Sequence, residues 1–321
     1  MAITNIHEDI IKTHILTKLD GQTLATTTCT SSILQTLCSD HNLWSNICNS
    51  TYPSTTDPQL TTTINNFNSG HRSFFSDSFS SPTHHLITTS CLPTNKILSS
   101  VDIKYDDQTV FSKVEYTNTT PTDWFQTSPF RIDLLEPKEI VLSPVKLSGD
   151  DNVLMPNLEK NVTLSWIVID PVQNRAVNVS GLKPVTVQRN WLTNDVELTF
   201  ATVIVVINHN GNDYVNCNVQ VTCGVNEERG ELSVSGVSLT VLDVYGKCLS
   251  GKDSMVILQG LAAGPRRRKS SVEEERERYD AYIQRRREKN EKTERRERRL
   301  DMACVASGVV ILMAFWSFAI Y

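Results

Sequence analysis

The last twenty residues of the chain, residues 302–321, form an apolar run without one charged side chain. An α-helix of that length spans about 30 Å at ~1.5 Å per residue, which matches the hydrocarbon thickness of a bilayer. A buried core helix is the alternative, but such a helix usually has a polar side, and the only small polar groups here are Ser307 and Ser317. The sequence therefore predicts one transmembrane helix, inserted after synthesis as a tail anchor because it stands at the end of the sequence.

Residues 265–301, just before this run, are densely charged, with 15 Lys/Arg and 10 Asp/Glu. After Pro265 they contain no Gly or further Pro, so we expect a long solvated helix, supported by pairs such as Glu274–Arg278 and Glu291–Arg295. Because the acids neutralise most of the basic charge, we expect no nucleic-acid binding. The four Arg residues between positions 295 and 299 place this side of the membrane in the cytosol.

The rest of the chain is therefore predicted to be a cytosolic body on a single-pass anchor. Its N-terminus is acidic by position 8 and lacks the apolar stretch of a secretory signal. The absence of basic residues after the apolar run favours the endoplasmic reticulum over the outer mitochondrial membrane. A cytosolic chain keeps its 8 cysteines reduced, and Cys304, at the membrane boundary, is a candidate for palmitoylation.

The first fifty residues predict a small helical unit. Ile11, Ile15 and Leu19 recur every four residues, which indicates an amphipathic helix over 8–19 that ends at Gly21. Three more short apolar segments follow before residue 50, and Asp40 is placed to cap the last of them. Such short helices bury little surface alone, so the unit needs a partner.

These residues resemble an F-box, whose pattern begins L-P-x-D followed by two hydrophobic residues and closes with D-x-x-L-W. The chain has IHEDII at 6–11 and DHNLW at 40–44, with the apolar positions between them in the same order. Two positions depart from the pattern: His7 stands where Pro is usual and Ser32 where many members have Trp. Without Pro the helix start is less preset, so we expect weaker adaptor binding than is typical.

The resemblance implies that the chain binds the Skp-type adaptor of cullin-RING ubiquitin ligases, and through it cullin. The apolar chemistry suits helix-in-groove docking. The alternative is a helical subdomain that only packs on the body. Matched position by position, the candidates for the adaptor-facing surface or the packing beneath it are Ile6, Asp9, Ile10, Leu16, Leu24, Leu34, Leu43 and Trp44.

Further stretches resemble a group of plant F-box proteins that combine an N-terminal box with a β-rich body. They include LWSNICNSTYPSTTDPQ, GHRSFFSDSF, TLSWIVIDP and GKDSMVILQG, and the likeness covers residues 1–264. It implies a substrate receptor for a target protein that the sequence does not identify.

Residues 51–94 are rich in Ser and Thr and predict a loop-rich connector with one short helix around 58–67, whose aromatic residues pack between box and body. From residue 95 to 264 the period changes to two, as in Val215, Cys217, Val219, Val221 and Cys223, with polar residues between them. Seven or more strands without alternating helices predict an antiparallel β-sandwich. The expected fold is therefore α+β: a helical F-box, an antiparallel β-sandwich-like body, a long charged helix and a C-terminal transmembrane helix.

No catalytic motif is present in the sequence, and we expect no enzyme activity and no cofactor. The His84–His85 pair has no third ligand nearby, so we expect no metal site. Trp124, Trp166 and Trp191 fit core or rim packing better than a sugar-binding cleft.

RRRKSS at 266–271 resembles a site for basophilic kinases, with Ser270 or Ser271 as the acceptor. The leading hypothesis is a membrane-anchored, non-catalytic substrate-recognition subunit of an SCF-type ubiquitin ligase. The alternative is a tail-anchored β-sandwich tethering protein without ligase function.

Overall fold

The computed structural model describes residues 7–87, 94–147, 151–208, 211–225 and 230–320. Short N-terminal helices precede two β-sheets, and a long helix with an apolar end closes the chain. The predicted α+β class is confirmed.

The N-terminal helices extend well beyond residue 50. The predicted first helix is helical from Glu8 to Lys18 but of mixed type, and Asp20 caps a new helix that Gly21 begins rather than ends. The stretch predicted as loop-rich holds two α-helices instead of one, because Asp57 caps one and buried aromatic residues hold the other. The elements are α1 (Glu8–Ile10) with a π-helical turn (Ile11–Ile15) and a 3₁₀ turn (Leu16–Lys18), α2 (Gly21–Thr27), α3 (Ser32–Leu37), α4 (His41–Thr51), a 3₁₀ turn (Pro53–Thr56), α5 (Pro58–Asn65) and α6 (His71–Phe79).

Eleven strands in the described ranges form two sheets. The four-stranded sheet is antiparallel, in the order β3-β2-β6-β7: β2 (Lys96–Tyr105), β3 (Gln108–Asn118), β6 (Val162–Asp170) and β7 (Arg175–Asn178). The seven-stranded sheet follows the path β1-β9-β10-β11-β4, with β5 beside β11 and β8 beside β9: β1 (His85–Ile87), β4 (Arg131–Asp133), β5 (Val141–Lys146), β8 (Thr186–Arg189), β9 (Val196–Asn208), β10 (Gly211–Val225) and β11 (Glu231–Leu242).

The described strand pairs from β2 to β11 are all antiparallel, as predicted, and the body has two further features. Strand β1 pairs parallel with β9, since it enters the sheet from the N-terminal helices rather than from a hairpin. Among its described residues the body also has three helices: α7 (Asp123–Thr127), α8 (Asp151–Asn161) and α9 (Gly251–Ala263). Ser250 caps α9, whose side chains are buried on most sides.

The inward faces of the two sheets share one hydrophobic core, as in a β-sandwich. Trp166 from the four-stranded sheet and Phe200 and Val219 from the other belong to it, all of them fully buried. The four-stranded sheet is buried on its second face too, where Ile167 and Ile169 pack with residues of the N-terminal helices. Strand β6 is therefore buried almost continuously toward its end instead of alternating.

Helix α10 (Val272–Ile320) runs unbroken for 49 residues. Its first turns are not solvated as predicted, because Tyr282 is buried and donates a 2.6 Å hydrogen bond to the carbonyl of Asp243, while the Arg285 guanidinium lies 4.2 Å from the Tyr214 ring centroid. Residues 291–301 are exposed, as expected. The predicted Glu291–Arg295 pair is present at 3.3 Å, whereas Glu274 pairs with Arg268 at 2.6 Å instead of with Arg278.

The apolar end of α10 is long enough to cross a bilayer. Its most apolar 18-residue window has a mean hydropathy of 2.2, and none of that window is buried against the protein. Length and composition therefore agree with a membrane span.

Candidate adaptor-binding surface

Trp44 on α4 holds the N-terminal helices together. Its indole Nε1 donates a 2.7 Å hydrogen bond to the carbonyl of Cys38, and its ring lies 5.5 Å from that of Phe75 on α6. Gly21 lets α2 approach the same ring, since a Cβ there would lie 2.2 Å from Phe75. The helices from Glu8 to Phe79 therefore form one rigid unit, which we call the platform.

The predicted adaptor-binding residues divide into two groups. Leu16, Leu24, Leu34, Leu43 and Trp44 are buried and form the packing beneath the surface. Asp9 and Ile10 are exposed, with 49% of Ile10 accessible. Ile6 lies outside the described residues.

Two other isoleucines of these helices are as exposed as Ile10, namely Ile15 at 42% and Ile33 at 46%. The motif comparison missed both. A sequence signal for Ile33 was its position beside Leu34. Neighbouring residues of a helix face different ways, so only one of the two can be buried in the same core, and that one is Leu34.

The two departures from the F-box pattern have clear positions. His7 takes the N-cap position of α1, where its Nδ1 accepts a 3.3 Å hydrogen bond from the backbone of Asp9. Ser32 is exposed at the start of α3, and Ser31 before it caps that helix by accepting a hydrogen bond from Leu34 N. Both helix starts therefore have a side-chain cap without Pro or Trp.

Ion pairing fixes the first helical turns to α4. Lys12 pairs with Asp40, whose carboxylate also accepts hydrogen bonds from the backbone of Asn42 and Leu43. The hydrogen bond from Lys12 and the two backbone donors hold the pKa of Asp40 below its usual value. Asp40 thus links the exposed start of the platform to its core.

Polar contacts fix the platform to the four-stranded sheet. The buried carboxylate of Asp102 accepts hydrogen bonds from Ser54 N at 2.9 Å and Ser54 Oγ at 2.6 Å. The Lys104 ammonium donates to the carbonyls of Ser50 and Thr51, both at 2.9 Å, where α4 ends. Burial raises the pKa of Asp102, against the effect of its serine donors.

The remaining predicted sites are scattered. Ser271 is exposed and caps α10 by accepting a 3.2 Å hydrogen bond from Glu274 N, while the backbone of Ser270 donates to Ser81 Oγ. Cys304 is exposed in the apolar part of α10. No group of three metal-ligating side chains occurs in the part of the chain that the structure describes.

The three tryptophans do not line one cleft. Trp166 is fully buried in the core, where its Nε1 donates to Ser99 Oγ at 3.1 Å. Trp124 and Trp191 are largely exposed, at 77% and 92%, instead of packing in the core or at its rim. This arrangement does not support a sugar-binding site built from all three.

Comparison with known proteins places the chain among named relatives from Arabidopsis thaliana. It is 40% identical to F-box protein At2g27310, covering 99% of this chain and 96% of the relative. It is 38% identical to F-box protein At3g44326, over 97% and 88% of the two chains, and 42% identical to probable F-box protein At2g36090, over 96% and 90%. No family model and no solved structure matches the chain.

These similarities extend far beyond the N-terminal helices, since each covers nearly all of both proteins. The sheets and the C-terminal helix are therefore part of the likeness, and the chain belongs to the plant F-box protein family.

Proposed function

We propose that the chain is a non-catalytic substrate-recognition subunit of an SCF-type cullin-RING ubiquitin ligase. Its N-terminal helices bind the Skp-type adaptor, and the sheets select a target protein. The observation that carries the proposal is the platform itself, which has the F-box order of residues and a fully packed interior yet leaves three isoleucines exposed.

Exposed isoleucines on a rigid helical platform suit binding to an apolar groove. Scattered exposed apolar residues are ordinary, but here Ile10, Ile15 and Ile33 lie within one small unit. The side chains beneath them are already ordered by Trp44 and its neighbours, so docking requires little further ordering of the chain.

The proposal includes a membrane anchor. The apolar end of α10 lies free of the rest of the protein, and Arg residues precede it on the side that we assign to the cytosol. We place the anchor in the endoplasmic reticulum, with Cys304 at the boundary open to palmitoylation. Ubiquitin transfer would then be confined to targets near that membrane.

Adaptor capture by the full chain in detergent tests the first step. Ile10→Asp and Ile33→Asp should each reduce capture at least about tenfold, because a charge replaces an apolar contact. Ile140→Asp is the matched control, since Ile140 is 59% exposed but lies outside the platform. Thermal unfolding should shift equally little in all three variants.

Capture that is equal for the wild type, the Ile10 variant and the Ile33 variant would reject the adaptor surface. Absence of any capture by the wild type would favour the alternative, a tail-anchored tethering protein without ligase function.

A further inference from the structure

A cavity of about 300 Å³ lies where the N-terminal helices, both sheets and α10 meet. Its walls come from the ends of α4 and α6, from strands β2, β6, β7 and β9, and from the first turns of α10. The volume is at the lower end of those of small-molecule sites. The proposed ligase function assigns no role to it.

Two buried polar atoms of the cavity wall have unused hydrogen-bonding capacity. Ser78 is 1% exposed, and neither its Oγ nor the buried Nδ1 of His84 has a hydrogen-bond partner among the described residues. Buried polar atoms in folded proteins are nearly always paired. Both residues line the cavity, so a small side-chain rotation would bring each atom to a molecule bound there.

Two cations of the described wall, Lys269 and Arg278, lack a hydrogen-bonded acceptor, although the charge of Glu275 acts on both. Within the described ranges, neither Lys269 nor Arg278 forms a hydrogen bond with a protein acceptor, and Glu274 is paired with Arg268 instead. The Lys269 ammonium lies 4.6 Å from the centroid of the Phe79 ring. The Lys269 side chain is exposed, so its ammonium is free to turn toward a molecule in the cavity.

The carboxylates and the third cation of the wall are mostly satisfied. Asp102 accepts hydrogen bonds from Ser54 and from Ser112, and Glu275 accepts one from Leu182 N at 3.2 Å. Lys104 donates to two carbonyls, and Asp107 is exposed at a hairpin turn. Burial also raises the pKa of Glu275 to about 7, which reduces its negative charge at neutral pH.

The groups left over are two cations and two groups that can donate, the Ser78 hydroxyl and the His84 imidazole, and together they favour an anion with several oxygens. We propose that the cavity binds a small phosphate monoester, whose phosphate contacts Arg278, Lys269, Ser78 Oγ and His84 Nδ1. Burial and the neighbouring Arg278 lower the pKa of His84 to about 4, so the imidazole is neutral at neutral pH, and its tautomer with hydrogen on Nδ1 can donate to the phosphate. A phosphate monoester has three terminal oxygens and about two negative charges, which match two cations and two further donors better than the single charge of a carboxylate does.

The apolar part of the wall determines which substituent on the phosphate the cavity can hold. Tyr52, Phe79 and Leu182 contribute apolar surface beside the donors. The substituent on the phosphate is therefore apolar and small. Because the walls belong to the platform, the sheets and the anchoring helix, the ligand would bind all three together.

Calorimetric titration of the full chain in detergent and phosphate-free buffer tests the proposal. The probes are phenyl phosphate, inorganic phosphate, benzoate and phenol. Phenyl phosphate should bind with one site per chain, inorganic phosphate and benzoate at least about tenfold more weakly, and phenol not measurably. Binding of benzoate or phenol as tight as that of phenyl phosphate, or no binding of phenyl phosphate, would overturn it.

Variants locate the site. Arg278→Gln and Ser78→Ala should weaken phenyl phosphate binding, the first by about tenfold or more. Arg287→Gln is the matched control, because Arg287 is exposed on the same helix and does not line the cavity. Equal affinity of the Ser78, Arg278 and Arg287 variants would overturn the assignment. The Ser78 variant keeps the test decisive if the Arg278 variant does not fold.

The ligand site does not rest on the ligase role. Arg278→Gln should retain adaptor capture, since Arg278 lies on α10 and not on the platform surface. The two proposals can therefore fail separately.

Discussion

At the scale of single residues, Asp77 joins three distant parts of the chain. Its carboxylate accepts hydrogen bonds from Arg175 Nε at 2.8 Å, Arg266 Nε at 3.2 Å and the backbone of Ala176 at 3.1 Å. Burial of Arg266 has a further consequence, because the first Arg of the predicted kinase motif is not free to bind a kinase while the protein is folded. Phosphorylation of Ser270 or Ser271 remains a prediction that relies on the following basic residues.

Asp77→Ala should lower the free energy of unfolding by about 3–5 kcal/mol. The reason is that it leaves the buried guanidinium of Arg266 without its carboxylate. Urea unfolding of the full chain in detergent, followed by tryptophan fluorescence, measures the change.

The control for Asp77 is Asp133→Ala. Asp133 pairs with Arg131 at 2.8 Å, but both side chains are more than half exposed, so the loss should stay below about 1 kcal/mol. Similar losses in the two variants would contradict the role of Asp77 as a buried link.

Glu275 predicts a pH dependence of stability. Burial raises the pKa of its carboxyl from 4.5 to about 7, against the lowering effect of Leu182 N, Arg278 and Lys269. The folded protein therefore binds this proton more tightly than the unfolded chain does. The resulting stabilisation is full below pH 4.5 and is lost as the pH rises through about 7.

Glu275→Gln should remove this dependence, since the amide resembles the protonated carboxyl. Between pH 5 and pH 8, the wild type should lose about 1–3 kcal/mol of unfolding free energy relative to the variant. Taking the difference cancels the titration of His84 and other groups that both proteins share. Parallel stability curves for the two proteins would contradict the raised pKa.

At the scale of elements, short-range sequence patterns predict the strands and helices themselves better than they predict which elements pack together. The alternation of β10 is observed, with Val215, Cys217, Val219, Val221 and Cys223 all buried. The other face is less wet than expected, because Asn216 is buried and Arg285 covers Tyr214. A strand's own sequence shows which face is more apolar, but not that a helix from the far end of the chain lies against the polar one.

Helix α10 is the clearest example of this limit. Its charge pattern predicted the helix, but the three-residue spacing of Tyr279 and Tyr282 was too brief a signal to show that the first turns dock on the sheet. Tyr282→Ala should cost about 3–5 kcal/mol of unfolding free energy and speed amide exchange over residues 276–289. Exchange measured by mass spectrometry tests this.

The control for this prediction is Tyr245→Ala. Tyr245 also faces a cation of α10, with Lys289 Nζ 5.5 Å from its ring centroid, but it is 41% exposed. Its replacement should cost less than about 1 kcal/mol. An unchanged exchange rate in the Tyr282 variant would mean that α10 is held elsewhere.

At the scale of the whole molecule, the two ends of the chain carry the clearest sequence signals. The F-box order of residues and the uncharged run from 302 are continuous local signals. The covering of the four-stranded sheet by α4 and α6 was not predictable in detail, because it depends on contacts such as Asp102 with Ser54, 48 residues apart. The split of the candidate residues into buried and exposed groups also needed the packed structure.

The continuous helix α10 also determines how far the folded body lies from the proposed membrane. Lys289 of α10 lies over the ring of Tyr245, in the turn after β11, and the uncharged run begins at Met302. Thirteen residues of α-helix rise about 20 Å at ~1.5 Å each. If α10 enters the membrane at Met302, the turn that holds Tyr245 lies about that far above it.

Fractionation of plant cells that express the intact chain, or a version ending at Asp301, tests the whole proposal most directly. Adaptor and cullin that co-purify with the chain are measured in the membrane and soluble fractions. We predict that both are recovered with the intact chain from membranes and with the shortened chain from the soluble fraction, and that Ile10→Asp abolishes recovery in either case. Failure of adaptor and cullin to co-purify with either version would contradict an anchored ligase receptor.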